Sequence, residues 1–261
     1  MADHSHGDDF HIFTTFRVDD TLLSDAAHTS LCGGHKSNIY LLPFHFDRLR
    51  TAAATISGFQ YPEALMKLES FEQRIQEAVE ESEKQSDSHA DAAHAVVRRG
   101  KISWWPSGRL DIALNPAPQT TTSLLPTSFD VDSAPTWSAV LDDQPTETNL
   151  YTEIKTSHRI AYDRARQSAG LDLKSTTEVL LYNTNGELID GSITTLYFYR
   201  DNKWVTPQCG GLEGTTRRYA LEAGICSVAD SAVRSDSLRD GETIWLSNAF
   251  RGFYAATFRA R

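Results

Sequence analysis

The stretch Glu153-Ile154-Lys155-Thr156-Ser157-His158-Arg159, with Tyr162 and the Ala165-Arg166 pair behind it, decides how this chain is read. Its lysine stands just ahead of a predicted helix from Arg159 to about Ala169, with Gly170 as the stop and Thr156 or Ser157 available as the cap. Alone, such a lysine is an ordinary surface residue at a helix start; two segments downstream of it give it weight. Glu178 to Tyr182 and Glu187 to Asp190 flank an Asn185-Gly186 turn and read as a hairpin, which delivers Asp190 in front of Gly191-Ser192. Further on, Gly210-Gly211-Leu212-Glu213-Gly214-Thr215-Thr216-Arg217-Arg218 reads as a glycine-rich loop opening a helix. Such a helix start offers an anion backbone N–H groups, two hydroxyls and the positive end of the dipole.

The 261 residues, 40% of them hydrophobic, can bury a core in one large domain or two of ordinary size. A formal charge of -10 and a pI near 5.3 argue against nucleic acid or an anionic membrane as the main partner. No apolar run reaches the length needed to span a bilayer. The start, Met1-Ala2-Asp3-His4-Ser5-His6, is polar and acidic, without a secretory or transit pattern. Cys32, Cys209 and Cys226 are scattered and odd in number, which suits a reducing compartment. The expectation is a soluble cytoplasmic protein of mixed α/β (α+β) class.

Along the chain, His4 and His6 fall in a polar tail and do not make a metal cluster with His11. Phe10 to Val18 reads as a strand, Ser24 to Ser37 as a loop, and Asn38 to Leu42 as a second short strand. Pro43 opens a helix that Gly58 ends, and a second helix starts at Pro62, with Leu65, Leu68, Phe71, Ile75 and Val79 at helical steps. That pattern fails beyond Glu80. Ala95 to Trp105 and Arg109 to Leu114 form a hairpin about Pro106-Ser107-Gly108. The run Asn115 to Gln119 has linker composition, which predicts an N-terminal α/β domain over 1–116, a linker over 117–126 and a β-rich domain over 127–261. Within that second domain Phe129 to Leu141 looks extended, Thr195 to Tyr199, Trp204 to Thr206 and Glu242 to Ser247 read as strands, and Thr216 to about Gly224 as a helix.

A lysine, an acid and a phosphate cradle in that order resemble the fold-type IV pyridoxal-phosphate enzymes, the class-IV aminotransferase superfamily. The string Lys-Thr-Ser-x-Arg-x-x-Tyr-x-x-Ala-Arg from Lys155 is similar to that family's cofactor-lysine segment almost position for position. The resemblance implies a two-domain fold like that of D-amino acid aminotransferase, a small α/β domain before a larger cofactor-binding one. It implies pyridoxal 5'-phosphate as cofactor, carried by Lys155, whose amine must be held near neutral, with Arg48 and Arg159 as candidate neighbouring cations. It makes Asp190 the partner of the ring nitrogen, where the family usually has Glu. Arg48, in a His-x-x-Arg-Leu segment, would grip the phosphate together with Thr215, Thr216 and the Ser247-Asn248-Ala249 segment. These groups stand on opposite sides of the linker and point to one cofactor served by two domains.

Within the family, Phe13-Thr14-Thr15-Phe16-Arg17 and Trp245 to Phe253 resemble the eukaryotic aminodeoxychorismate lyase-like branch. That implies release of pyruvate from aminodeoxychorismate to form 4-aminobenzoate for folate synthesis. Lys155 would remove the C4 proton, and Thr14 or Thr15 would protonate the leaving oxygen; alternation lets only one of them face the site. Arg17 and Arg251 are the candidates for the substrate carboxylates, with Arg98 a weaker third, and the family suggests a homodimer. The competing readings are an aminotransferase for D- or branched-chain amino acids and a cofactor-binding homologue with little turnover.

Overall fold

Ile12 to Val18 is β-branched and aromatic, and it forms strand β1 (Ile12–Val18) in the computed structural model, which describes residues 9–85, 97–119, 122–172, 174–208 and 210–260. His4, His6, Cys209 and the far part of the charged insert lie outside the described residues. By internal contacts the chain divides into two units: Met1–Thr120 with Lys155–His158, and Thr121–Ile154 with Arg159–Arg261. The four residues from Lys155 thus belong with unit 1, although the chain on either side of them belongs to unit 2.

In unit 1, β1 pairs antiparallel with β2 (Arg98–Trp104), and β2 with β3 (Leu110–Pro116). The other edge of β1 is taken by the lysine segment. The Phe13 N–H donates to the Lys155 carbonyl at 2.9 Å and the Ser157 N–H to the His11 carbonyl at 2.8 Å, with Ile12 and Thr156 bridged. Helices α1 (Ala26–Leu31), α2 (Leu42–Ile56) and α3 (Leu68–Gln85) complete the unit. The buried side of α3 carries Phe71, Ile75 and Val79, each worth about 1.5–3 kcal/mol when removed from water.

Two local expectations fail here. The expected loop over 24–37 contains α1, because the Asp25 carboxylate accepts the His28 N–H at 2.9 Å and supplies a cap that composition hides. The expected strand over 38–42 is not formed. Only Ile39 pairs, with Val18, and Leu41 turns through a left-handed φ of 54° straight into α2, with Pro43 in its first turn. The helix expected from Pro62 begins as a short 3-10 turn, Glu63–Leu65, before α3 starts, and α3 runs on past Glu80 as an exposed, charged end.

Unit 2 is built on an eight-stranded sheet of order β6-β5-β4-β11-β10-β7-β8-β9. Its strands are β4 (Trp137–Leu141), β5 (Thr177–Tyr182), β6 (Leu188–Gly191), β7 (Thr195–Arg200), β8 (Lys203–Thr206), β9 (Ser227–Val228), β10 (Thr243–Asn248) and β11 (Gly252–Phe258). The hairpin of β5 and β6 turns at Asn185-Gly186, where Gly186 takes a φ of 79°. Alternation on β5 separates two buried clusters: Leu180 packs with Leu196, Phe198, Ile244 and Leu246, while Val179 and Leu181 meet Tyr162 and Ala165. Tyr162 and Ala165 lie on α5 (Ile160–Ser168), which follows the short α4 (Leu150–Glu153).

The extended reading of 129–141 holds only from Trp137; Phe129 is instead a buried plug, stacked on Trp245 at 4.8 Å between ring centroids. Nor do Thr156 and Ser157 cap α5. Its N-cap is Arg159, while Thr156 Oγ1 accepts the His158 N–H and Ser157 Oγ the His11 N–H. Helix α6 (Thr215–Glu222) opens after Gly214. No helix among the described residues is long and apolar enough to cross a membrane.

Candidate active site

Unit 1 gathers Lys155, Thr14, His45 and Arg48. Lys155 is half-buried, its Nζ 4.8 Å from the centroid of the Phe13 ring, with Lys101 on the same ring at 4.5 Å. One residue along β1, the Thr14 side chain is fully buried against α2. Its hydroxyl lies 2.6 Å from His45 Nδ1 and accepts a hydrogen bond from Arg48 Nη2. Burial, and then the charges of Arg48 and Lys155, push His45 well below the usual histidine range. The imidazole is therefore neutral, and since Arg48 can only donate, the economical arrangement has Nδ1 accepting the Thr14 proton. Burial also lowers the Arg48 guanidinium, to about 10, so it stays charged at neutral pH. Arg48 Nε is buried without a hydrogen-bond partner among the described residues.

Unit 2 holds a second cluster around Asp190, at the end of β6. Asp190 is 6% exposed; its Oδ2 accepts the Leu212 N–H at 3.1 Å and stands 3.3 Å from the Tyr162 hydroxyl, and its Oδ1 accepts the Gly191 N–H. The glycine-rich loop thus lies directly on the acid. A Cβ on Gly211 would collide with the Ile189 carbonyl and come within 2.9 Å of Asp190 Cβ, so no other residue fits without movement. Burial and the Asp190 charge raise Tyr162 well above the ordinary tyrosine range, and its hydroxyl donates to the Thr152 carbonyl at 2.8 Å.

At the start of α6, Thr215 and Thr216 are both buried. The Tyr197 hydroxyl lies 2.8 Å from Ser247 Oγ, and Ser247 donates to Thr216 Oγ1 at 2.8 Å. Thr215 Oγ1 has no partner among the described residues. The first backbone N–H groups of the helix have no intrahelical acceptor and face the same end.

With this geometry in view, comparison with known proteins is informative. Residues 12–257 match the amino-transferase class IV family. The chain belongs to that family. Members of the amino-transferase class IV family use pyridoxal 5'-phosphate, and the family expected from the sequence is the one found. A Schizosaccharomyces pombe protein with the provisional name aminodeoxychorismate lyase is 29% identical over 233 residues, 87% of each chain. The Saccharomyces cerevisiae aminodeoxychorismate lyase is 31% identical over 151 residues, 51% of this chain and 40% of that one. A solved structure from Mesorhizobium loti, provisionally an amino-acid aminotransferase, matches with a TM-score of 0.66 at 23% identity, covering 96% of this chain and all of that one, which speaks to the fold alone.

The class IV chain treats the remaining sequence-selected residues unevenly. Thr15 is half-exposed, on the side of β1 opposite Thr14. Arg17 is buried and ion-paired with Asp19 at 2.6 Å. Burial works to raise the Asp19 carboxyl, but hydrogen bonds from Thr21 and Arg17 outweigh it and hold the group below its usual value. Arg98 pairs with Glu83. Asn248 uses its Oδ1 on the N–H groups of Phe250 and Arg251, building the turn in which Ala249 is buried. The Arg251 guanidinium lies over Trp137 and Phe250. Sequence reasoning missed His45, Tyr162 as a neighbour of Asp190, and the Leu212 N–H. His45 and Tyr162 both carried a signal, since His45 stands one helical turn before Arg48 and Tyr162 lies within the lysine motif.

Proposed function

We propose that this chain is a 4-amino-4-deoxychorismate lyase working with pyridoxal 5'-phosphate, which releases pyruvate and leaves 4-aminobenzoate for folate synthesis. The observation that carries this reading is the likeness to the Schizosaccharomyces pombe protein across 87% of both chains. The cofactor, when bound through a lysine, supplies an electron sink, provided that its ring nitrogen stays protonated. Lys155 is the residue to hold it and then to take the substrate's C4 proton. Asp190 suits the ring nitrogen, as a buried carboxylate fixed by two backbone N–H groups. Arg48, Thr215 and Thr216 suit the phosphate. The buried Arg48 Nε and Thr215 hydroxyl would each forfeit about 1–3 kcal/mol without an acceptor, and phosphate oxygens are acceptors.

Asn248 and Ala249 would serve the phosphate end through the backbone turn they form. Thr14 is the candidate donor to the departing enolpyruvyl oxygen, a role that requires its one proton to turn from His45 Nδ1 to the substrate; its oxygen accepts from Arg48, which makes that proton easier to release. Arg17 is held by Asp19 in an ion pair, and Arg251, whose guanidinium lies over Trp137 and Phe250, is the other candidate for a substrate carboxylate. The reading takes the protein as cytoplasmic, in keeping with its scattered cysteines, and as a homodimer by analogy with the family.

The test is incubation with aminodeoxychorismate and no keto acid, following 4-aminobenzoate and pyruvate. The protein should form both, and should carry a visible absorbance that borohydride removes and that Lys155→Ala lacks. Product formed only when a keto acid is added would replace the lyase with an aminotransferase, the reading that the family name itself favours.

A further inference from the structure

Glu178 lies on β5, fully buried, and no step of the proposed chemistry uses it. A carboxylate in a protein interior is costly unless every oxygen is satisfied. Here five donors converge on it. Oε1 accepts from the Val179 N–H at 2.8 Å, the Ser192 N–H at 3.0 Å and the Ser192 hydroxyl. Oε2 accepts from the Thr194 hydroxyl at 2.7 Å and the Ile193 N–H at 3.3 Å. The Arg166 guanidinium stands 3.8 Å away and donates to Ser192 Oγ at 3.0 Å, so charge and hydroxyl are aligned toward the carboxylate.

Four of the five donors come from one turn, Ser192-Ile193-Thr194, which follows Asp190 and Gly191 directly. That turn has further contacts on its outer side. The Ser192 carbonyl accepts from Arg159 at 2.9 Å, and the Ile193 carbonyl from Asn248 at 3.4 Å. Gly191 is held so tightly that a Cβ there would collide with Thr194 Oγ1 and approach the Glu178 carboxyl carbon to 3.1 Å. A turn meant only to join β6 to β7 needs no buried charge; a hydrophobic side chain would fill the space. A turn whose backbone must be fixed in direction is a reason to keep one.

We propose that Glu178, backed by Arg166, is a positioning residue for the cofactor: it folds the Ser192–Thr194 turn and so fixes the direction of the Asp190 carboxylate and of the Arg159 and Asn248 side chains. The inference rests on the reading of Asp190 as the ring-nitrogen partner. Glu178→Gln keeps the volume but replaces an acceptor with an N–H donor, which would face the turn's own donors. Asp190 keeps its contacts to Leu212 and Gly191 but loses the support behind them.

The experiment uses the protein loaded with pyridoxal phosphate labelled with nitrogen-15 in the ring, comparing wild type, Glu178→Gln, Ser192→Ala and Thr194→Val. In Glu178→Gln the ring-nitrogen resonance should move from the protonated toward the neutral position. Turnover should fall on the order of 10- to 100-fold, the scale seen for outer partners of metal ligands. Ser192→Ala and Thr194→Val should shift the resonance the same way by less. A Glu178→Gln protein that holds cofactor with the wild-type resonance overturns the proposal; should that variant fail to fold, wild-type resonances in both hydroxyl variants overturn it instead. If the wild type takes up no cofactor, the functional reading is what fails. The positioning role is then read from amide exchange in the unloaded protein: the Ser192 and Ile193 amides should lose protection in Glu178→Gln while β7 keeps its own, and unchanged protection overturns it.

Discussion

Thr14 and Thr15 are neighbours on β1, yet one is sealed against Arg48 and His45 and the other looks partly to solvent. Removing the Thr14 hydroxyl while keeping its shape should cost turnover about 10²- to 10⁴-fold, the range of general acid catalysis, with a small change in KM. Thr14→Val and Thr15→Val are therefore expected to diverge in 4-aminobenzoate formation, with Thr15→Val close to wild type; the reverse order would remove Thr14 from its proposed role. Asp190→Asn places an amide against the Leu212 and Gly191 N–H groups, so kcat should drop far more than cofactor affinity, measured by turnover and by cofactor titration. Lys155, Asp190 and the threonine pair could be picked from the sequence because each sits in a short run of fixed spacing. Glu178 could not, since its partners Ser192 and Thr194 reach it only once β5 and β6 have paired.

At the scale of the element, the glycine-rich loop and β6 act as one piece. Gly211 rests on the Ile189 carbonyl and Asp190, so Gly211→Ala should move the loop, the Leu212 N–H and the acid together. We expect at least about 10-fold weaker cofactor binding, or about 1.4 kcal/mol. Gly224→Ala is the control: it meets nothing within 4 Å and carries only the cost of a φ of +68°, about 1–2 kcal/mol of stability with cofactor affinity unchanged. Equal affinities in the two variants, by fluorescence titration, would separate loop from acid. Most strands of unit 2 were readable from β-branched and aromatic runs. Strand β11 was not, because nearly all of its residues are buried and no polar alternation marks it. The sheet order, with β4 between β11 and β5 and parallel to both, has no local signature at all.

For the molecule as a whole, acid should be a specific weakness of unit 1. Its histidines His11, His28 and His45 are all lowered, chiefly by burial, so the native state declines protons that the unfolded chain accepts. Stability is then unaffected above the ordinary histidine value of 6.5 and falls as the pH drops below it, by up to about 1.4 kcal/mol per unit for the fully buried His45 and by less for the partly exposed His11. Urea denaturation at about pH 7.5 and about pH 5.5 should show that gap, and His45→Gln should narrow it by roughly 1.4 kcal/mol; an unchanged gap would mean His45 is protonated in the fold. One arrangement at this scale also bears on how the chain is made. The outer neighbour of β1 is Lys155–Ser157, so this strand, once synthesised, waits for a partner encoded far downstream. At about 5–20 residues per second, translation takes on the order of ten seconds to get from Phe13 to Lys155. Through that interval the nascent chain carries an open strand edge, the kind of template on which neighbouring polysomal chains pair. The lysine assigned to the chemistry is also the backbone that ends this exposure, and a translation product that stalls before it would be both inert and sticky.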